Sequence, residues 1–340
     1  MYRTMKETEY VFATARVRAK ENTLISRESF FRMAEARNAR EVLSILAECG
    51  FATVYGEDGT RVDEEATIAA LISDARTLLC EAAPTPHLFD FLYYPIDCHN
   101  AKSVLKAILS SQSAEGLLLS GGTVDPHVIL RELTEGRTDC LSRHMSEAAA
   151  SVRESYAKNK DPREIDLILD RACYLDMSEL AKEDADLSRY VSMRIDMSNF
   201  LTYLRITRRL TDRSDTVAVM RAAALFEKAF LEGGLVGFDA YPAMTEEGGA
   251  HLAEKMKTTP YAPLFAHIDL SSDPTEKIEA QFDLYMLRDF EDVRYVAFGS
   301  RVLLLYAVKR EFETKNLRII FAGKRASLSP DRIRESLRLI

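Results

Sequence analysis

Apolar residues recur along much of this chain with the 3.6-residue period of a helix. Between 64 and 81, Ile68, Leu71, Ile72, Ala75, Leu78 and Leu79 fall on one stripe. Between 161 and 180, Ile165, Ile168, Leu169, Ala172 and Leu180 do the same. Ser329-Pro330 reads as a cap followed by Pro at the first helical position, opening a last helix that buries Ile333, Leu337 and Ile340. The run Val302 to Val308 has the content of a strand, but its neighbours are helical in pattern, so it reads as a buried helix segment. Few segments alternate with period two. The expected class is all-α.

The pattern also repeats on a longer scale. Ile96-Asp97, Asn100 and Leu105-Lys106 match Ile195-Asp196, Asn199 and Leu204-Arg205 position for position, 99 residues apart. Glu313, Asn316 and Leu317-Arg318 form a looser third copy. Upstream of the second and third copies lies the same helix start, Asp161-Pro162-Arg163-Glu164 and Asp273-Pro274-Thr275-Glu276, in which Asp caps, Pro opens and Glu closes a capping box; the first copy has a weaker version at Asp63-Glu64. Further upstream, Leu24-Ile25-Ser26, Leu119-Ser120-Gly121-Gly122 and Leu231-Glu232-Gly233-Gly234 each read as the opening of another helical stretch. Three landmarks in constant order indicate triplication. A period of about 100 residues is far longer than a solenoid repeat, so each copy is expected to have its own core. The expected division is 1–111, 112–213 and 214–340.

Composition narrows the function classes. Of 340 residues 47% are apolar, enough to fill such cores, and the net charge of −8 is spread evenly. No part is basic overall, which argues against nucleic acid as a partner. Arg205, Arg208 and Arg209, with Arg213, form a local basic cluster that reads either as a solvated helix face or as a docking patch for an acidic surface. The five cysteines are scattered with no Cys-x-x-Cys, which fits reduced thiols. Residues 1–12 are charged, and no apolar run reaches the ~18 residues of a membrane span, so neither a secretory signal nor direct membrane insertion is expected.

Candidate chemistry is sparse. Gly323-Lys324 lacks the spaced Gly and the Ser or Thr of a phosphate loop. The Gly233–Gly237 stretch reads as a turn. Cys98-His99 beside Asp97 resembles a ligand cluster, but Met197 and Ser198 replace the pair in the second copy, so packing is the better reading. The signature residues Asp97, Asn100, Asp196, Asn199, Glu313 and Asn316 lie three apart, on one helical face. Their expected work is structural: capping a helix start or bonding a neighbour across a domain joint. Catalytic use of the acids would need them to meet across a threefold axis. No cofactor and no metal site are expected.

The segment Tyr10-Val11-Phe12-Ala13-Thr14-Ala15-Arg16-Val17-Arg18-Ala19-Lys20-Glu21, followed by Leu24, resembles the opening of the C subunit of archaeal and bacterial V-type (A-type) ATP synthases. The eukaryotic relative of that family is the d subunit of the vacuolar proton pump. The resemblance continues through Asp97 to Lys102, through Arg194-Ile195-Asp196 with Asn199, Thr202 and Leu204-Arg205, and through Glu313, Asn316-Leu317-Arg318, Ile320 and Gly323-Lys324. Ala326-Ser327 departs from it, where the family more often has Gly. The resemblance implies a funnel of three similar helical domains around a pseudo-threefold axis. It implies a non-catalytic adaptor on the cytoplasmic face of the membrane's proteolipid rotor ring, with the tip of the central stalk in the funnel, coupling ATP turnover to proton or sodium transport. Arg16, Arg18, Arg205, Arg208 and Arg209 are candidate partner contacts. Two alternatives stand beside this one: a helical scaffold unrelated to rotary motors, and an enzyme whose site lies at the threefold axis.

Overall fold

The computed structural model describes residues 7–54, 63–159, 161–210, 212–245 and 248–339, and among them there is no strand. The chain opens with α1 (Val11–Glu21), α2 (Arg27–Glu35), α3 (Ala39–Glu48), α4 (Glu64–Ala82) and α5 (Tyr94–Ser110). It continues through α6 (Pro126–Thr134), α7 (Arg143–Asn159), α8 (Pro162–Ala181) and α9 (Ala185–Arg209). The last part holds α10 (Thr216–Ala229), α11 (Gly248–Met256), α12 (Ala262–Phe265), α13 (Thr275–Arg288), α14 (Ser300–Arg325) and α15 (Pro330–Ser336).

Local chemistry places most of these boundaries. Asp63 Oδ1 accepts from the Ala66 N–H at 2.8 Å, and Asp161 Oδ1 from the Arg163 N–H at 3.0 Å, satisfying donors that have no partner inside the helix. Glu164 does not close a box on Asp161. Its carboxylate accepts from Ser155 Oγ and Lys228 Nζ, stronger partners than a backbone amide. Asp273 does not cap α13 either. Pro274 holds the cap position, while Asp273 accepts from Lys277 Nζ at 2.6 Å and the Asp269 N–H at 3.0 Å. The last helix stops at Ser336, earlier than its apolar spacing suggests. Leu337 is still buried but sits in an extended tail, and Ile340 lies outside the described residues. Of the three upstream landmarks, only Leu24-Ile25-Ser26 opens directly into a helix; the other two enter loops.

The long helices cross between cores. The buried side chains form three clusters. The largest takes in α7, α8, most of α5, the first half of α9 and the first half of α14 through Phe312. The second joins the rest of α9, from Met193, to α10 and α13. The third packs α2, α3 and the start of α4 against α14 from Leu317 onward, and against α15. Helix α4 divides likewise, with Ile68, Leu71 and Ile72 in the third cluster and Ala75, Leu78 and Leu79 in the first. The first and last parts of the sequence therefore share a core. Helix α14 contains Val302–Val308, all but fully buried, which explains a run that is apolar on every face.

Candidate functional site

The three signatures lie on the three long helices, and each reaches out of its helix to hold another segment. On α5, Asn100 Oδ1 accepts from the Leu119 N–H and its Nδ2 donates to the Leu119 carbonyl, both at 2.8 Å. On α9, Asn199 makes the same pair of bonds to Leu231, again at 2.8 Å. On α14, Asn316 makes it to Arg338, at 2.8 and 3.0 Å. An amide matches a peptide unit donor for acceptor, so one buried side chain satisfies both polar groups of a chain that passes out of a helix.

The acids complete these joints. Asp97 accepts from the Thr123 N–H at 3.0 Å, Thr123 Oγ1 at 2.5 Å and the Val124 N–H at 3.2 Å. Asp196 accepts from the Leu235 N–H at 2.8 Å, the Val236 N–H at 3.2 Å and the Tyr261 hydroxyl at 2.8 Å. Glu313 accepts from the Ile25 N–H at 2.5 Å and from Arg310 at 2.7 Å. A Cβ on Gly122 or Gly234 would overlap Asp97 Oδ1 or Asp196 Oδ1, so these two glycines let the backbone close onto the acid. Burial pushes all three carboxyls up. Thr123, the two backbone donors and Arg76 oppose it at Asp97, and Arg310 opposes it at Glu313. Asp196 has only uncharged donors and is pushed up to about 6. The acids serve separate joints; none bonds to another.

The candidate arginines divide. Arg208 is a strut, donating to the Leu270 carbonyl at 3.0 Å, to Thr275 Oγ1 at 2.9 Å and to the Asp273 carbonyl. Arg18 bonds the Val293 carbonyl at 2.8 Å and Glu21 at 2.9 Å, and Arg16 pairs with Glu81 at 2.9 Å. Arg205 and Arg209 are exposed and unpartnered among the described residues. Cys98 and His99 are used locally. Cys98 Sγ lies 3.5 Å from the Leu169 carbonyl, and His99 Nε2 lies 3.0 Å from the Leu117 carbonyl. Among the described residues no three His, Cys, Asp or Glu side chains converge as metal ligands. Ser327, in the stretch that departs from the resemblance, adopts a left-handed φ of 53°.

A cavity of about 210 Å³ lies among the signature helices, where Ile96 and His99 of α5, Arg194 of α9, and Glu311, Lys315 and Arg318 of α14 meet. Arg194 donates to Glu311 at 2.8 Å, and Lys315 lies 3.2 Å from both Glu311 and Asp283. Glu311 and Lys315 belong to no motif in the sequence. Their signal was a block of charges inside an otherwise buried helix, where charges are rare unless paired.

Three joints of one design, spread over the chain, make a whole-length relationship the natural expectation. The family model described as "ATP synthase (C/AC39) subunit" matches residues 13–336. This chain belongs to that family. Among its relatives, the C subunit of the V-type sodium ATPase of Enterococcus hirae is 24% identical, over 98% of this chain and 99% of its own. The C subunit of the A-type ATP synthase of Pyrococcus horikoshii is 21% identical, over 97% and 90%. The C subunit of the V-type ATP synthase of Thermus thermophilus is 24% identical, over 92% and 93%. As a C/AC39 member this chain is a subunit of a V- or A-type ATPase complex, and the signature residues of all three joints fall within the matched span. Among the described residues no helix is long and apolar enough to cross a membrane.

Proposed function

We propose that this protein is the non-catalytic adaptor of its rotary complex. It seats the central stalk on the cytoplasmic face of the proteolipid ring and passes torque between them as ATP turnover is coupled to proton or sodium transport. Its three helical units, 1–111, 112–213 and 214–340, stand around a pseudo-threefold axis as a funnel. The observation that carries this reading is the end-to-end match to C subunits of V- and A-type enzymes, which leaves almost none of the chain unassigned. The joints support it. A torque coupler has to be stiff; the first unit is bolted to the second, and the second to the third, by a buried amide and a buried acid, and the third is tied back to the first by Glu313 on Ile25. Helix α10 also supports it, since Val217, Met220 and Leu225 face outward among the described residues, as suits a protein that works inside an assembly.

The enzyme alternative has a place to be tested, since the central cavity gathers charged groups. Burial alone would raise the Glu311 carboxyl, but Arg194 and Lys315 hold it down at about 2. At neutral pH it is neither a proton donor nor a useful base. The adaptor reading is tested by a tagged pull-down from gently solubilised membranes. Recovery of a small proteolipid with stalk and nucleotide-binding head subunits supports it. Recovery of an unrelated soluble set without proteolipid overturns it in favour of a separate helical scaffold.

A further inference from the structure

The cavity brings cations to its wall whose carboxylate partners, Glu311 excepted, stand outside the lining. Arg194, Lys315, Arg318 and Arg310 line its wall with side-chain exposures of 17%, 25%, 37% and 3%. Among the described residues Glu311 is the one acid on the wall. The other acids that pair with these cations, Glu65, Asp283 and Glu313, stand outside the lining. The rest of the wall is largely apolar, with Ile72, Leu92 and Ile96, so the charges act through a medium that screens them poorly. Among the cations, Arg194 and Lys315, the direct ion-pair partners of Glu311, act on it most strongly. Its carboxyl is drawn down to about 2 against the effect of its own burial.

We propose that this cavity is an oxyanion site, which takes one carboxylate or phosphate group beside Glu311, against Lys315 and Arg318. The guanidinium of Arg318 offers a planar fork that matches either group, and its present partner Glu65, 2.8 Å away, is itself 38% exposed, so that water competes for this pair. Lys315 adds a point charge from one turn earlier on α14. The space holds a small polycarboxylate or the tip of a partner segment carrying Asp or Glu. The site does not depend on the adaptor reading, so a failed pull-down leaves it standing.

The test uses the purified full-length protein at fixed ionic strength and pH. Thermal unfolding is followed against rising inorganic phosphate, citrate and a capped peptide of glutamates. The expected result is a saturable rise in Tm whose half-saturation moves about tenfold higher in Arg318→Gln and stays unchanged in Arg143→Gln, an exposed arginine outside the cavity. Lys315→Gln is the second variant, and isothermal titration of citrate gives the affinity directly should that protein be less stable. Tighter binding of the peptide than of citrate assigns the anion to an acidic partner segment; tighter binding of citrate or phosphate assigns it to a free small anion. No saturable effect from any of the three probes, or an equal effect in wild type and Arg318→Gln, overturns the proposal.

Discussion

At the joint on α9, Asn199 and Asp196 hold Leu231, Leu235 and Val236, which follow in the same stretch of chain. At the joint on α14, Asn316 and Glu313 hold Arg338 and Ile25, which come from opposite ends of the sequence. The amide clamp is the same in both. What differs is what makes each joint hold. The first keeps its segments close by covalent continuity, and its acid has only neutral donors. In the second the amide clamp is also local, but the acid closes onto Ile25 from the far end of the chain, and ion pairs accompany that closure: Arg310 with Glu313, Arg318 with Glu65, Arg325 with Glu64 and Arg334 with Glu35. One side-chain device thus serves two kinds of connection, and charge is added where the backbone does not supply closure.

The largest expected effect breaks the continuous joint sterically. In Gly234→Ala the new methyl displaces the Asp196 carboxylate from three donors at once, and stability should fall by about 3 kcal/mol in urea unfolding. Among the described residues no glycine is seen playing such a part at the Glu313 carboxylate. A fall within error would mean that the acid moves freely and the joint is not a close fit.

Next, the amides can be removed singly. Asn199→Ala leaves both polar groups of the buried Leu231 unpaired and should cost about 2–3 kcal/mol. Asn316→Ala frees backbone groups of a half-buried tail that Asp283 still holds through the Arg338 side chain, and should cost about 1 kcal/mol. Equal costs at the two sites would erase the distinction between the joints.

The acids separate the joints by pH. Asp196 is raised from 3.8 to about 6 on folding, so the protonated form is favoured in the folded protein. Its contribution to stability is fully present below about pH 4 and is lost as pH rises through about 6, amounting at most to ~3 kcal/mol across that window and less at each step within it. Comparing unfolding of wild type and Asp196→Asn between about pH 5 and 7 isolates this group. Wild type should lose roughly 1–2 kcal/mol more than the variant over that interval. Parallel curves would place the titration elsewhere.

The smallest effect lies at the turn after α14. Ser327 adopts a left-handed φ, so Ser327→Gly should relieve strain and raise stability by about 0.5 kcal/mol, visible as a small rise in Tm. A loss would mean that the serine side chain compensates for its backbone.

Helices were the most legible part of the sequence, because a stripe such as Ile68 to Leu79 records which face meets a core. The six signature residues were legible as positions, since Asp and Asn three apart in register repeat visibly. Their partners were not. Nothing in the sequence near Glu313 indicates that Ile25 is its partner, because that bond closes over nearly the whole chain. Caps were read too generously. Asp273 has the right neighbours for a cap, but the lysine at i+4 competes for its carboxylate. Arg208 looked like a surface charge because sequence cannot show the carbonyls of Leu270 and Asp273 beside it. The cavity among the long helices is lined by residues from 72 to 318; Ile96 and Arg318 stand in the repeat signatures, but nothing in the sequence shows that they meet.

The adaptor role is tested most directly by removing this protein from its complex and adding it back. Membranes from cells lacking the chain are assayed for ATP-driven ion uptake, with and without purified protein and detached head. The account predicts that the head still turns over ATP, that uptake is absent without this protein, and that uptake returns when it is supplied. Uptake that proceeds equally well in its absence would contradict it.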